Sequence, residues 1–396
     1  MIIPLLGVST MPFVIYLLGL TIFSLTTAEF MVAGMMPTLA VAFDVTVGQI
    51  GYLISFYALG MAIGGPFLTA LLLALRTPNK QALLWLLLLY VASGVLAAIS
   101  TRYDVMAVAR IIMGVASSAC FGVAMTICAS LVAPQERGRA ASFVLGGLML
   151  APVFGVPVTA LIEQYFGWRT SFWAVVVLAI FCTAVIALLV PASKERDNIS
   201  FKTELYALWN RKLWAAYATS GLIIGATFAA FSFFSPIFID VTYFSASTIP
   251  WLLVIYGVAN VLGNIIVGRL ADRHTIMVLA GGLSILSLAL LIFALFAQNA
   301  IASIGAFIAI GLTGVALNPA MVARVMRAAS PGPLVNTMHS SVITAGLALG
   351  SWAGGYAINS GFGLRSPLWV GVFLALCGLL TLIPYLRGRE PAAITS

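Results

Sequence analysis

Twelve long runs of apolar residues, each almost free of charge, constrain this chain more than any other feature. They cover about residues 12–36, 49–73, 82–99, 104–132, 140–163, 170–190, 213–239, 249–269, 276–297, 300–325, 334–360 and 366–386. Each is near the ~20 residues that a helix needs to cross a bilayer. Residues with Asp, Glu, Lys or Arg side chains make up only 8% of the 396 positions, against about 25% in a soluble domain. A transmembrane β-barrel would show ~10-residue segments of alternating polarity, and the runs do not alternate. Helices also satisfy their own backbone groups, which lipid requires. The expected fold is an all-α membrane protein of twelve transmembrane helices.

The loops sort by charge. Of the 19 Lys and Arg residues, 15 fall at one set of span ends, Arg102, Arg169 and Arg365 at the other, and Arg110 within a span. The positive-inside rule makes the rich side cytoplasmic, and both termini with it. The formal charge of +8 is then a topological signal, and no nucleic-acid partner is expected. Cys120, Cys128, Cys182 and Cys377 all lie in apolar spans and read as small core residues. The first residues have neither a basic start nor a small-residue cleavage site, so no cleaved leader is expected, and Met11 offers an alternative start. The one long polar segment, 192–212, divides the spans six and six. It is expected to be a cytoplasmic linker between bundles at 1–191 and 213–396.

The two halves repeat. FGWRTSFW at 166–173 matches FGLRSPLW at 362–369. Gly147, Ala151 and Gly155 recur at Gly346, Gly350 and Gly354, and Tyr57 and Gly64 at Tyr256 and Gly263, all at an offset of 199. Parallel six-span repeats characterise one large class of transporters. GRLADRH at 268–274 resembles the cytoplasmic loop signature of the major facilitator superfamily. The equivalent first-half loop, ALRTPNK at 74–80, keeps Arg76 and Lys80 but has no acid. RIIMGVASSACFG at 110–122 resembles the span-4 motif that starts with a buried Arg, and GLMLAPVFGVP at 147–157 the span-5 antiporter motif. In the latter, Ala151 and Val156 replace two glycines. The LTTAEFM stretch of span 1 resembles that of bacterial twelve-span drug–proton antiporters of the arabinose-efflux and chloramphenicol-resistance types. The resemblance covers essentially the whole chain. It implies two pseudo-symmetric six-helix bundles in the bacterial inner membrane, alternating access, and a monomer without cofactor or metal.

Glu29 is the lone acid of span 1. An isolated charge at membrane depth costs at least ~2.5–3.5 kcal/mol. Counted from the outer span ends at 1.5 Å per residue, Glu29 and Arg110 both lie roughly 10 Å deep, where pairing would offset that cost. Glu29 is the candidate proton site, with Arg110 tuning it. If water access or their separation differs between the two open states, proton affinity differs too, which couples protons to cargo. A static ion pair that only orients the two helices is the structural alternative, and direct contact of Glu29 with the cargo a further one.

In span 5, Gly147, Ala151 and Gly155 occupy one helix face, and Pro152 and Pro157 permit a bend. They are expected to form a hinge and seal between the halves, with close packing as the plainer alternative. Gly268, Asp272 and Arg273 are expected to latch the cytoplasmic side. Tyr57, Phe228, Ser232, Asn260, Asn318 and Asn336 are candidate cavity residues, suited to an amphipathic and uncharged small molecule. His339 reads as structural, His274 as a loop residue, and Asp240 as interfacial.

Other classes fit less well. A membrane enzyme would need a nucleophile–base set or metal ligands, and the chain has two histidines and no HxxxH. A channel would need a filter-like string. Nor is there a Walker sequence for ATP. The leading expectation is export of a drug-like molecule in exchange for protons. Sugar or nucleoside efflux and proton-symport import remain open.

Overall fold

The computed structural model describes residues 11–75, 77–191, 209–328 and 333–386, without the side chains of residues 73, 134, 272, 333 and 334. Most of the 192–212 linker therefore lies outside the described residues. Among those residues, eleven helices are long and apolar enough to cross a membrane. They are α1 (Phe13–Gly34), α2 (Val47–Leu72), α3 (Asn79–Ile99), α4 (Tyr103–Ser130), α5 (Arg137–Phe166), α6 (Trp168–Leu189), α7 (Arg211–Asp240), α8 (Ala246–Ala271), α9 (Arg273–Phe296), α10 (Ala300–Ala328) and α11 (Val335–Phe362). A shorter apolar helix, α12 (Ser366–Leu380), takes the twelfth place. The all-α architecture of twelve helices in two six-helix bundles is thus present. Successive helices run in opposite directions, so one end of the molecule is rich in Lys and Arg and the other poor.

Several helices depart from regularity where their sequence demands it. In α5, residues Ala151–Gly155 form a π-turn, with the Val156 amide bonding back to Ala151; Pro157 has no N–H to continue the ordinary ladder. A second π-turn, Gly60–Gly64, lies in α2. In α7 the helix breaks at Ser232–Phe233, and in α10 at Gly314 (φ −77°, ψ −104°). The expected loop between spans 8 and 9 is no loop. The backbone stays helical from Ile249 to Phe296 except for a kink at His274.

The duplication is visible in packing. A Cβ at Gly147 would run into the Gly19 carbonyl, and one at Gly346 into the Gly221 carbonyl. Likewise Gly114 lies on the Tyr57 carbonyl and Gly311 against that of Tyr256. Small residues let these backbones touch, which is how helices associate without a hydrophobic drive between them.

The halves meet chiefly towards the Lys/Arg-poor end. There Thr46 Oγ1 donates to Asn359 Oδ1 (2.7 Å), and Asn359 Nδ2 donates to the Tyr52 hydroxyl (3.2 Å). Gln164 Nε2 donates to the Ala246 carbonyl (2.6 Å). Phe30 of α1 stacks on Phe228 of α7 at 5.2 Å.

Candidate functional site

Arg110 is completely buried, yet none of its hydrogen bonds goes to a carboxylate. Its Nη1 donates to the Ala28 carbonyl (2.6 Å), Nη2 to the Glu29 carbonyl (2.9 Å) and Nε to the Leu53 carbonyl (3.3 Å). The guanidinium lies 4.2 Å from the centre of the Tyr57 ring. A planar fork with five N–H donors thereby ties α4 to α1 and α2, with the electron-rich ring covering one face. Glu29 and Arg110 do meet at one level, but their side chains form no ion pair, so the alternative of a static pair is not what is seen. Main-chain oxygens take the guanidinium's protons, because its fork reaches the backbone of α1 and α2 directly.

The Glu29 side chain is buried as well, at 7% exposure. Among the described residues no hydrogen bond or ion pair involves its carboxyl group; the one described salt bridge joins Arg102 and Asp104 at the surface. It remains in the electrostatic neighbourhood of Arg110 and Tyr57.

The cavity candidates separate. Tyr57 is packed beneath Arg110 and donates its hydroxyl to the Leu25 carbonyl (3.2 Å). It therefore braces the guanidinium and lines no cavity here. Ser232 is consumed by a 2.6 Å bond to Ser351, and Phe228 by stacking on Phe30. Asn318 is half-buried just beyond the break in α10, and Asn336 is exposed near the Lys/Arg-rich end of α11. Asn336 neighbours Val335, whose carbonyl accepts from Tyr217 (2.6 Å); Tyr217 lies 14 residues from Phe231, about 21 Å along α7. Asn260 differs from all of these. It is buried, and its Oδ1 has no partner.

The motif glycines also differ from expectation. Gly147 faces Gly19 and Gly155 faces Thr27, both on α1 of the same bundle. Contact with the other bundle is made by the adjoining Pro152 carbonyl and Val153, which press on Gly257. The i, i+4, i+8 face thus packs within a bundle and the π-turn beside it touches across. Gly268 is half-buried and Arg273 exposed, while the Asp272 side chain lies outside the described residues. His339 bonds Ser220 (2.9 Å) and stacks on Tyr217.

One relation escaped the sequence reading. The offset of 202 that carries Gly19 onto Gly221 also carries Glu29 onto Phe231, and the offset of 197 that carries Gly114 onto Gly311 carries Arg110 onto Phe307. Tyr57 maps onto Tyr256. In the second bundle Phe231 and Phe307 flank Tyr256 with ring centres at 4.7 and 4.9 Å. The charged cluster of one half is an aromatic cluster in the other.

Comparison with known proteins follows the same lines. The family model of the Major Facilitator Superfamily matches residues 18–338 and 244–395. The chain is 32% identical to a chloramphenicol resistance protein of Streptomyces lividans, over 95% of this chain and 96% of that protein. It is 30% identical to the inner membrane transport protein YdhP of Escherichia coli, over 94% and 95%. Among solved structures, a bacterial homologue of the human lysosomal transporter Spinster aligns over 97% of this chain and all of that one, at TM-score 0.75 and 16% identity. The peptide transporter POT aligns over 96% and 97%, at TM-score 0.76 and 11% identity.

Proposed function

The chain belongs to the major facilitator superfamily, and from that premise we propose that it exports a small, uncharged, amphipathic molecule in exchange for protons. The observation that carries the reading is the Glu29 carboxyl, buried yet committed to no hydrogen-bond partner among the described residues. Ionisable groups at membrane depth mark ion and substrate pathways. A carboxyl held by fixed donors would keep one charge state. Glu29 instead answers to whichever side supplies water. Arg110, locked by three carbonyls, is the stationary positive charge beside it.

The Lys/Arg-rich end faces the cytoplasm, with both termini, in the bacterial inner membrane. The bonds at the opposite end, Thr46–Asn359 and Gln164–Ala246, then seal the outside, and the described conformation is the inward-facing one. Asp272 and Arg273 act in the opposite state, when the cytoplasmic ends close. Both bundles come from one chain, so a monomer completes the pathway. The cargo is drug-like: one relative is a chloramphenicol resistance protein, and the aromatic faces of α7, α8 and α10 suit a neutral ring-bearing molecule.

The test is efflux from proteoliposomes under an imposed proton gradient, with labelled chloramphenicol and a panel of neutral and cationic aromatic compounds. Glu29→Gln keeps shape and removes the titratable proton. Gradient-driven movement should fall at least ~10-fold, while gradient-free exchange of cargo persists, as for loss of a coupling free energy alone. Gradient-driven movement equal to wild type would remove the proton role.

A further inference from the structure

Tyr256 and Asn260 stand four residues apart on α8, one turn on the same face. Both are buried, and both carry a polar atom without a partner: the Tyr256 hydroxyl and the Asn260 Oδ1. Buried polar groups in folded proteins are mostly satisfied; Tyr90, Ser287 and Arg324 each also carry one unpartnered buried atom, but Tyr256 and Asn260 put two on one helix face, where a single occupant can meet both.

The surroundings say what kind. The Tyr256 ring is held between Phe231 and Phe307. Asn260 lies one turn nearer the Lys/Arg-rich end, about 6 Å along the axis. Span α10 passes this turn at close range: Gly311 meets the Ala259 Cβ, and a Cβ at Gly263 would meet the Leu312 carbonyl. Just beyond, α10 leaves helical geometry at Gly314, which lies against Thr227 of α7. Interrupted helices at membrane depth are tolerated where they line a cavity or a ligand. An aromatic clamp, an acceptor, a hydroxyl and a broken helix therefore converge within the second bundle, with no charged side chain among them.

We propose that Tyr256 and Asn260 are the hydrogen-bonding end of a ligand subsite in the second bundle, which takes a neutral aromatic molecule bearing a free hydroxyl group. The ligand's hydroxyl donates to Asn260 Oδ1 and the Tyr256 hydroxyl bonds its oxygen, while Phe231 and Phe307, packed on the Tyr256 ring, hold that hydroxyl in place. This rests on the export reading above and divides the labour within it. Cargo docks in the aromatic bundle, at the positions equivalent to those that hold Glu29 and Arg110 in the first.

Equilibrium binding to the purified full-length protein in detergent tests it, with chloramphenicol, which carries two hydroxyls, and its diacetyl ester, which carries none. Asn260→Leu and the conservative Tyr256→Phe should each weaken chloramphenicol binding roughly 2- to 10-fold, the loss of one hydrogen bond. All three forms should bind the ester alike. Neither variant should lower the unliganded melting temperature, since the Tyr256 hydroxyl and Asn260 Oδ1 bond nothing among the described residues and leucine fills the space of the amide. Unchanged chloramphenicol binding in both variants overturns the subsite and leaves a bound water as occupant. A wild type that does not bind chloramphenicol overturns it too. A lowered unliganded melting temperature in Tyr256→Phe assigns a structural role and overturns it as well. The export reading is judged separately, by gradient-driven transport in Glu29→Gln, and its failure leaves the binding comparison intact.

Discussion

Arg110 is where one side chain organises three helices. Each of its three nitrogens meets a different carbonyl, on residues Ala28, Glu29 and Leu53, and the Tyr57 ring covers its face. A lysine at this position carries its donors on one nitrogen and has no plane to lay on the ring. Arg110→Lys should therefore lower stability by about 2–3 kcal/mol, most of it from carbonyls left unsatisfied in a buried site. Thermal unfolding in detergent would register this as a fall of several degrees, and a melting temperature equal to wild type would refute it. Tyr57→Phe keeps the ring and loses the hydroxyl's bond to the Leu25 carbonyl, so its cost should stay near ~1 kcal/mol. Glu29 and Arg110 were both legible in the sequence, because a charge inside an apolar run needs a reason. What the guanidinium would hold was not legible. Depth along two helices places residues on a level, but whether a fork finds a carboxylate or a carbonyl depends on rotamer and helix spacing.

Among the helices, glycine does its work where backbones touch. Gly346 lies on the Gly221 carbonyl and Gly147 on that of Gly19, so equivalent pairs hold α11 to α7 and α5 to α1. Gly346→Val forces these backbones apart and should cost ~1–3 kcal/mol by overpacking. Gly122 is the control: a Cβ there meets nothing within 4 Å, and Gly122→Ala should be neutral or stabilising by up to ~1 kcal/mol in a helix. Thermal unfolding of the two variants side by side checks the contrast; equal melting temperatures would mean that the close approach is not what holds α7 and α11. The glycine spacing of span 5 and its repeat in span 11 could be read directly, and so could the shared face. Its neighbour could not, since periodicity names a face and not what it packs on. The face belongs to α1 of the same bundle, and contact across the bundles falls to Pro152 and Val153. The π-turn at Ala151–Gly155 follows from Pro157, whereas two prolines five positions apart gave only a bend in the sequence. The missing loop at His274 has a similar origin: GRLADRH reads as polar punctuation, yet one non-helical residue is enough to turn the chain.

For the molecule as a whole, the question is what holds one end shut while allowing it to open. The halves are bridged at the Lys/Arg-poor end by Asn359, which accepts from Thr46 and donates to Tyr52. Thr46 is also the N-cap of α2, in a capping box with Gln49, so the bridge is anchored on a fixed helix end. That Thr-x-x-Gln signature is visible in the sequence, while its partner 313 residues away is not. The bridge is exposed, so its two hydrogen bonds are worth about 1–2 kcal/mol together. This is the scale on which an alternating structure must work: a stronger lock would trap one state, and a difference of this size moves a two-state population roughly 5- to 30-fold. Asn359→Ala should shift the protein towards the form open at that end. Val41 and Ile301 are both 84% exposed, one in each half near that end, and serve as label positions. Cys120, Cys128 and Cys182 are buried, and Cys377 is partly exposed, so replacing Cys377 leaves a low labelling background. Distances between spin labels at 41 and 301 should then show a longer population that grows in Asn359→Ala. An identical distance distribution in the variant would mean that the seal rests on the apolar contacts of Gly48, Gly51, Phe233 and Gly355, with the polar bridge merely riding on them.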